Sequence, residues 1–293
     1  MKTWHYSLIV FLGGCCYGIL STFVKLAYSA GFSSPEVTGA QYLFGAALSW
    51  IGMIFVKKKS LDPKTILRLL LSGIPFGLTG IFYYLSLQTL NASLAIVLLF
   101  QFIWIGSLYE WLFFKKKPTR HKLALIGILL VGSLLAANVF SQEEISVSWQ
   151  GTLWALLAAS TFALFLLLSG SVGKSASPVL KSAFLSTGAT ITVFVCFPPT
   201  FFLDSDVLIA LSPYGLVLGI FGVLLPPLLY SIGMPHIGPG TGSLMTSSEL
   251  PIAVLMSSIV LGESVNGYQW LGIIVILCSI VLGSFTSKEE TGS

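Results

Sequence analysis

Charged side chains are scarce: they make up 9% of the 293 residues, against 55% hydrophobic. A soluble globule could not cover itself with so little polar surface, so the scarcity excludes an ordinary water-soluble domain and places the chain in lipid. The four cysteines, Cys15, Cys16, Cys196 and Cys278, lack metal-type spacing and fall inside apolar runs, where they read as packing residues. His5, His121 and His236 stand alone in the sequence. No ATP-binding motif occurs, which argues against direct drive by nucleotide hydrolysis. No catalytic residue, metal site or cofactor is expected from this inventory.

What is abundant is uninterrupted apolar sequence. A hydrocarbon core ~30 Å thick needs ~20 apolar residues per helical span. Such stretches occur at about residues 6–28, 37–56, 66–87, 92–114, 122–140, 150–170, 180–203, 213–233, 240–261 and 268–286. Membrane β-barrel strands would be runs of ~10 residues with a period of two, whereas these are continuous and rich in Leu, Ile, Ala and Gly. The expected fold class is therefore an all-α membrane protein with about ten transmembrane helices. The first run is too long for a signal-peptide core, contains Lys25 and is followed by nine more, so it reads as a retained helix.

With a cytoplasmic N-terminus, every basic residue except Lys25 falls on the cytoplasmic side. These are Lys2, Lys57, Lys58, Lys59, Lys64, Arg68, Lys115, Lys116, Lys117, Arg120, Lys122, Lys174, Lys181 and Lys288. The opposite loops hold only acids: Glu36, Glu143, Glu144, Asp204, Asp206 and Glu263. The positive-inside rule thus puts both termini in the cytoplasm, with an even helix count. The basic runs are short interhelical loops without interleaved aromatics, so topology explains the net charge of +4 better than nucleic-acid binding does.

The chain also repeats itself. "SSPEVTGAQ" from Ser33 matches "ASPVLKSAF" from Ala176, and "LIGILLVGSLL" from Leu125 matches "WLGIIVILCSIVLG" from Trp270. A shift of 148 sets Ser93 against Thr241, Gln101 against Glu249, and Ile103 against Pro251. The expected units are residues 1–140 and 146–286, followed by a cytoplasmic tail at 287–293. A five-helix unit ends on the opposite face from where it began, so the second copy is inserted upside down. The stretch Gly233 to Ser243 reads as an interhelical loop, and Gly73/Gly77, Gly215/Gly219 and Gly238/Gly242 as close-packing pairs. Pro226, Pro227 and Pro251 each deprive a helical carbonyl of its donor.

In these features the chain resembles the EamA-type family of the drug/metabolite transporter superfamily. The resemblance rests on Tyr17, Gly18 and Lys25 in "YGILSTFVK", on "SSPE" opening the second helix, on Glu249-x-Pro251, and on "LGE" ending at Glu263. It covers the whole chain as two tandem units. It implies ten helices, cytoplasmic termini, and export or exchange of metabolites such as amino acids, sugars, nucleotide sugars or drugs. Where such proteins often carry Arg in the second helix this chain has Gln41, which argues against strongly acidic substrates.

An ionisable group inside a span costs roughly 2.5–3.5 kcal/mol at the centre, so each needs a reason to be there. Glu110 lies near the Lys115 cluster, where an interfacial ion pair suffices, and Lys25 is near enough to a helix end to snorkel or to serve as an outer gate or anion contact. Glu249 falls near mid-membrane and is expected to line the translocation path, meeting substrate or a coupling proton. Its repeat mate Gln101, with Trp104 one turn on, is expected to line the same cavity, together with Tyr17, Tyr84 and Tyr230. The sequence thus predicts a secondary transporter in the cytoplasmic membrane that moves a small molecule by alternating access. The alternative is a polytopic membrane enzyme acting on lipid-linked substrates, which would need acids, His or Arg gathered at one face.

Overall fold

The computed structural model describes residues 3–55, 61–90, 92–139, 148–173 and 175–290. Several residues used above for orientation lie outside these: Lys2, Lys57, Lys58, Lys59, Lys174, and 142–147 with Glu143 and Glu144. All regular structure among the described residues is helical. The helices are α1 (Thr3–Ser29), α2 (Ser34–Ile54), α3 (Pro63–Ser86), α4 (Ala92–Leu99), α5 (Phe102–Phe114) and α6 (Arg120–Ala136). There follow α7 (Trp149–Ser171), α8 (Pro178–Cys196), α9 (Ser205–Leu218), α10 (Leu225–Thr246), α11 (Glu249–Leu261) and α12 (Gly267–Glu290). Among the described residues, seven helical stretches are long and apolar enough to cross a membrane.

Helix starts follow from side-chain oxygens placed before a proline. In α2, the Ser33 backbone N–H and hydroxyl both donate to Glu36 Oε2 at 2.7 Å. Asp62 accepts from the backbone N–H of Lys64 at 2.9 Å and Thr65 at 3.3 Å before Pro63 opens α3. These donors hold the exposed Asp62 carboxyl below the usual carboxylate range, the Lys64 N–H contributing most. Ser177 Oγ accepts from Leu180 N at 3.3 Å at the start of α8, repeating the Ser-Pro opening of α2.

Several boundaries differ from the sequence expectation. The seventh apolar run, read as 180–203, stops at Cys196, because Pro198 and Pro199 follow and the chain turns into a short 3-10 segment at Thr200–Leu203. The fourth run breaks at Phe100–Gln101, between α4 and α5. The stretch Gly233 to Ser243 is no loop: α10 runs through it and breaks only at Gly238, whose φ of 77° is a left-handed conformation open to glycine. Without such breaks, the 57 residues from Ser205 to Leu261 would make a rod of ~85 Å, far longer than a bilayer is thick. Gly238 therefore serves a bend, whereas Gly242 packs against Met234.

Pro226 and Pro227 follow a π-helical turn at Gly219–Leu224 that accommodates the missing donors. The carbonyl of Val223, which Pro227 cannot serve, accepts instead from Ser186 Oγ at 3.0 Å. Lys181, counted above with the cytoplasmic loops, is buried in α8 and donates to the carbonyl of Ser169 near the end of α7.

Lipid supplies no hydrophobic drive between helices, so backbone approach at small residues holds them together. A Cβ at Gly73 or Gly77 would strike the backbone of α8, and one at Gly188 the backbone of α3. Likewise Gly215 and Gly219 of the α9 span meet Phe44 and Gly45 of α2, while Gly45 meets Val223 and Gly219 in return. Gly132 and Gly272 bring α6 and α12 together. The central packing is α1 against α10 and α11, and α7 against α3, α4 and α5.

Candidate functional site

Glycines of α1 create the site. Gly14 and Gly18 lie one turn apart, and a Cβ at either would collide with the backbone of the α10–α11 junction, at Thr246 for Gly14 and at Glu249 and Ala253 for Gly18. Ser248 Oγ donates to the carbonyl of Phe11 at 2.7 Å and ties the junction to the same face of α1. Pro251 has no N–H for the carbonyl of Ser247, which keeps the ladder weak where α11 begins. The result sets Glu249, first residue of α11, beside Tyr17 of α1.

Between α1, α2, α3, α4 and α11 lies a cavity of about 140 Å³, lined by residues that include Tyr17, Lys25, Gln41, Tyr84 and Glu249. Its walls are mainly apolar and aromatic. Aromatic rings close one end: Tyr17 meets Phe162 edge-on at 5.5 Å, Phe102 meets Phe162 at 4.8 Å, and Phe76 stacks on Phe165 at 4.5 Å. At the other end, Lys25 Nζ donates to Glu263 Oε1 at 3.0 Å, and Glu263 Oε2 accepts from Ser257 Oγ at 2.7 Å. Ser257 first and Lys25 second hold the Glu263 carboxyl below its ordinary range.

The side walls are already hydrogen-bonded. Tyr84 donates to Gln41 Oε1 at 2.8 Å, and Tyr42 donates to the carbonyl of Phe76 at 2.9 Å. Thr79 donates to the carbonyl of Pro75 at 2.7 Å, and its hydroxyl lies 3.0 Å from that of Thr161. The exceptions are Glu249 Oε2 and the hydroxyls of Tyr17 and Tyr28, which are sealed from solvent without a partner.

Of the residues singled out in the sequence, Tyr17, Lys25, Tyr84 and Glu249 share this cavity. Tyr230 does not line it; fully buried, its ring backs that of Tyr17 at 6.0 Å. Gln101 and Trp104 lie elsewhere and satisfy each other, Trp104 Nε1 donating to Gln101 Oε1 at 2.8 Å, with Trp104 on the exposed surface. Gln41, Tyr42, Phe76 and Tyr83 were missed as cavity residues. Only for Gln41 was there a signal, a polar residue in an apolar run where the family often has Arg.

The EamA-like transporter family model matches the chain twice, over residues 4–138 and 149–285. The chain belongs to the EamA-like transporter family. Among curated relatives it is 27% identical over 226 residues to the threonine/homoserine exporter RhtA of Salmonella typhimurium, covering 76% of this chain and 73% of the relative. It is 25% identical over 266 residues to the uncharacterized inner membrane transporter YicL of the same species, covering 86% and 87%. An uncharacterized Bacillus subtilis transporter, YcbK, matches at 20% over 91% of this chain and 88% of its own. A solved crystal structure has the same fold, with a TM-score of 0.74 at 14% identity and coverage of 96% and 98%. As an EamA-family member the protein is a multi-pass membrane transporter of small metabolites.

Proposed function

We propose that this EamA-family protein is a secondary exporter that works by alternating access, with substrate meeting Glu249 in the cavity between α1, α3 and α11. The observation that carries the reading is Glu249 itself, whose Oε2 is buried without a hydrogen-bond partner at the aromatic end of an apolar cavity. The proposed architecture is ten spans in two inverted halves, residues 1–140 and 146–286, with both termini cytoplasmic. Three features support it. The family model matches each half separately. The α4–α5 break at Phe100–Gln101 and the α10–α11 break at Ser247–Ser248 fall within one residue of each other under the shift that pairs Gln101 with Glu249. The glycine contacts of α3 on α8 are matched by those of the α9 span on α2, as exchange of the halves requires.

With cytoplasmic termini, the end of the cavity at Lys25 faces out, and the aromatic end at Tyr17 and Phe162 seals the inner side. In the opposite state the inverted mate Gln101 takes the place of Glu249 at the cavity. Glu249 couples substrate movement to a proton, and the ionisable groups close enough to feel its charge are the phenols of Tyr17, Tyr83 and Tyr230. The names of the RhtA relatives support a cargo of amino-acid size, and no observation favours the membrane-enzyme alternative. The test is reconstitution of the full chain in liposomes. Movement of an unaltered metabolite, found by comparing the inside and outside of cells with and without the gene, supports the reading; chemical conversion without movement rejects it.

A further inference from the structure

Tyr17 is 8% exposed and Glu249 9%, and both line the cavity. Tyr17 Oη and Glu249 Oε2 belong to residues that line this end and are buried without a partner; the Tyr28 hydroxyl, beside Ser34, is likewise unpartnered. When Glu249 is ionised, its unmet oxygen in an apolar surround is far costlier than an unmet hydroxyl, so a ligand that binds this form brings a donor, and a charged donor best. The cavity wall offers nothing comparable to an anion. Lys25, its one lysine, is held by Glu263 at 3.0 Å, so a ligand carboxylate would have to displace that partner.

The remaining surface suits a ring. Leu20, Val24, Phe76, Ile96, Leu99 and Phe162 supply apolar contacts. A cavity of ~150 Å³ accommodates benzene, close to the 140 Å³ available here. The rings of Tyr17 and Phe162 line the cavity together with Glu249 and add aromatic surface to it.

Building on the transport reading above, we infer that the cavity selects an organic amine: a protonated primary amine held by Glu249 and Tyr17, on a body about the size of one aromatic ring, with no carboxylate required. This differs from the cargo in the RhtA name, whose members carry a carboxylate and no ring.

The experiment measures binding of 2-phenylethylamine, phenylalanine, phenylacetate and threonine to the purified full chain in lipid nanodiscs, and movement of the same four compounds in proteoliposomes. 2-Phenylethylamine should bind at least as tightly as phenylalanine, and roughly ten- to hundredfold more tightly than phenylacetate or threonine, the range for one charge-assisted contact. Glu249→Gln should erase that preference, while Glu249→Asp, which keeps the charge, should retain the preference of amine over phenylacetate. Phenylacetate or threonine binding as tightly as the amine would overturn the inference, as would unchanged amine affinity in Glu249→Gln. If threonine moves across liposomes while the amine neither binds nor moves, the transport reading stands and the amine class falls. If the amine binds with the expected preference but no compound moves, the amine class stands and the transport reading falls.

Discussion

Lys122 at the start of α6 donates to Glu110 Oε2 of α5 at 2.7 Å, and the pair lies against Gly240, just past the bend of α10 at Gly238. The sequence suggested a solvated interfacial pairing of Glu110 with the Lys115 cluster. Instead the two side chains are only 12% and 16% exposed, and a Cβ at Gly240 would collide with both. The ion pair thus braces three helices at a point where one of them changes direction. A carboxylate is also electrostatically favoured at the start of the helical segment beyond Gly238.

Removing one partner leaves a mostly buried charge unmatched. Glu110→Gln or Lys122→Gln alone should destabilise by ~3–5 kcal/mol, read as a lower unfolding temperature in detergent. The double neutral variant should lose less than either single variant. Additive losses would show that the two groups do not act as a pair.

The α1–α11 contact depends on the absence of a side chain at Gly18. Gly18→Val should cost ~1–3 kcal/mol by overpacking and abolish transport, because it pushes Tyr17 away from Glu249. Gly127→Ala, where a Cβ meets nothing within 4 Å, is the control and should leave both stability and transport unchanged.

Glu249→Gln keeps shape while removing ionisation. It should insert and fold normally yet lose pH-dependent uphill transport, with exchange retained. The measurement is uptake into proteoliposomes with and without an imposed pH gradient. Wild-type rates and an unaltered pH profile would return Glu249 to a packing role.

At the cavity mouth the sign of the pH effect is fixed by Glu263, whose folded-state carboxyl titrates below its ordinary range. Its contribution is fully present above the unfolded value of ~4.3 and is lost as pH falls through the lower folded value. Both partners are about half exposed, at 45% and 50%, so the Lys25–Glu263 pair is worth only ~0.2–1 kcal/mol. Wild-type and Glu263→Gln unfolding temperatures should differ by a small constant amount near neutrality and converge on acidification. Divergence toward low pH would contradict the assignment.

Topology is checked by labelling in a background without the native cysteines. A single Cys at Glu143 should react with an impermeant reagent on intact cells, and one at Lys58 only after permeabilisation. The reverse pattern would invert the proposed orientation and the side to which the cavity opens.

Apolar run length is a local property, and by itself it determined that this chain lies in lipid and is helical. The cap of α2 at Ser33, Pro35 and Glu36 likewise needs only neighbours in sequence, although the apolar run itself begins only at residue 37. Glu249 was identifiable as an acid deep within an apolar run, because the cost of burying charge depends on depth along a span. Which side chains share a cavity was decided only by tertiary structure. That outcome depends on the rotation of each helix about its axis, which is set by backbone contacts at Gly14, Gly18, Gly45 and Gly73 with residues distant in sequence. Those contacts turn Tyr17 and Glu249 toward each other, place Tyr230 behind them, and leave Gln101 paired with Trp104. Gln101 is related to Glu249 by sequence repetition, but a repeat fixes equivalent positions, not the side on which the cavity is open.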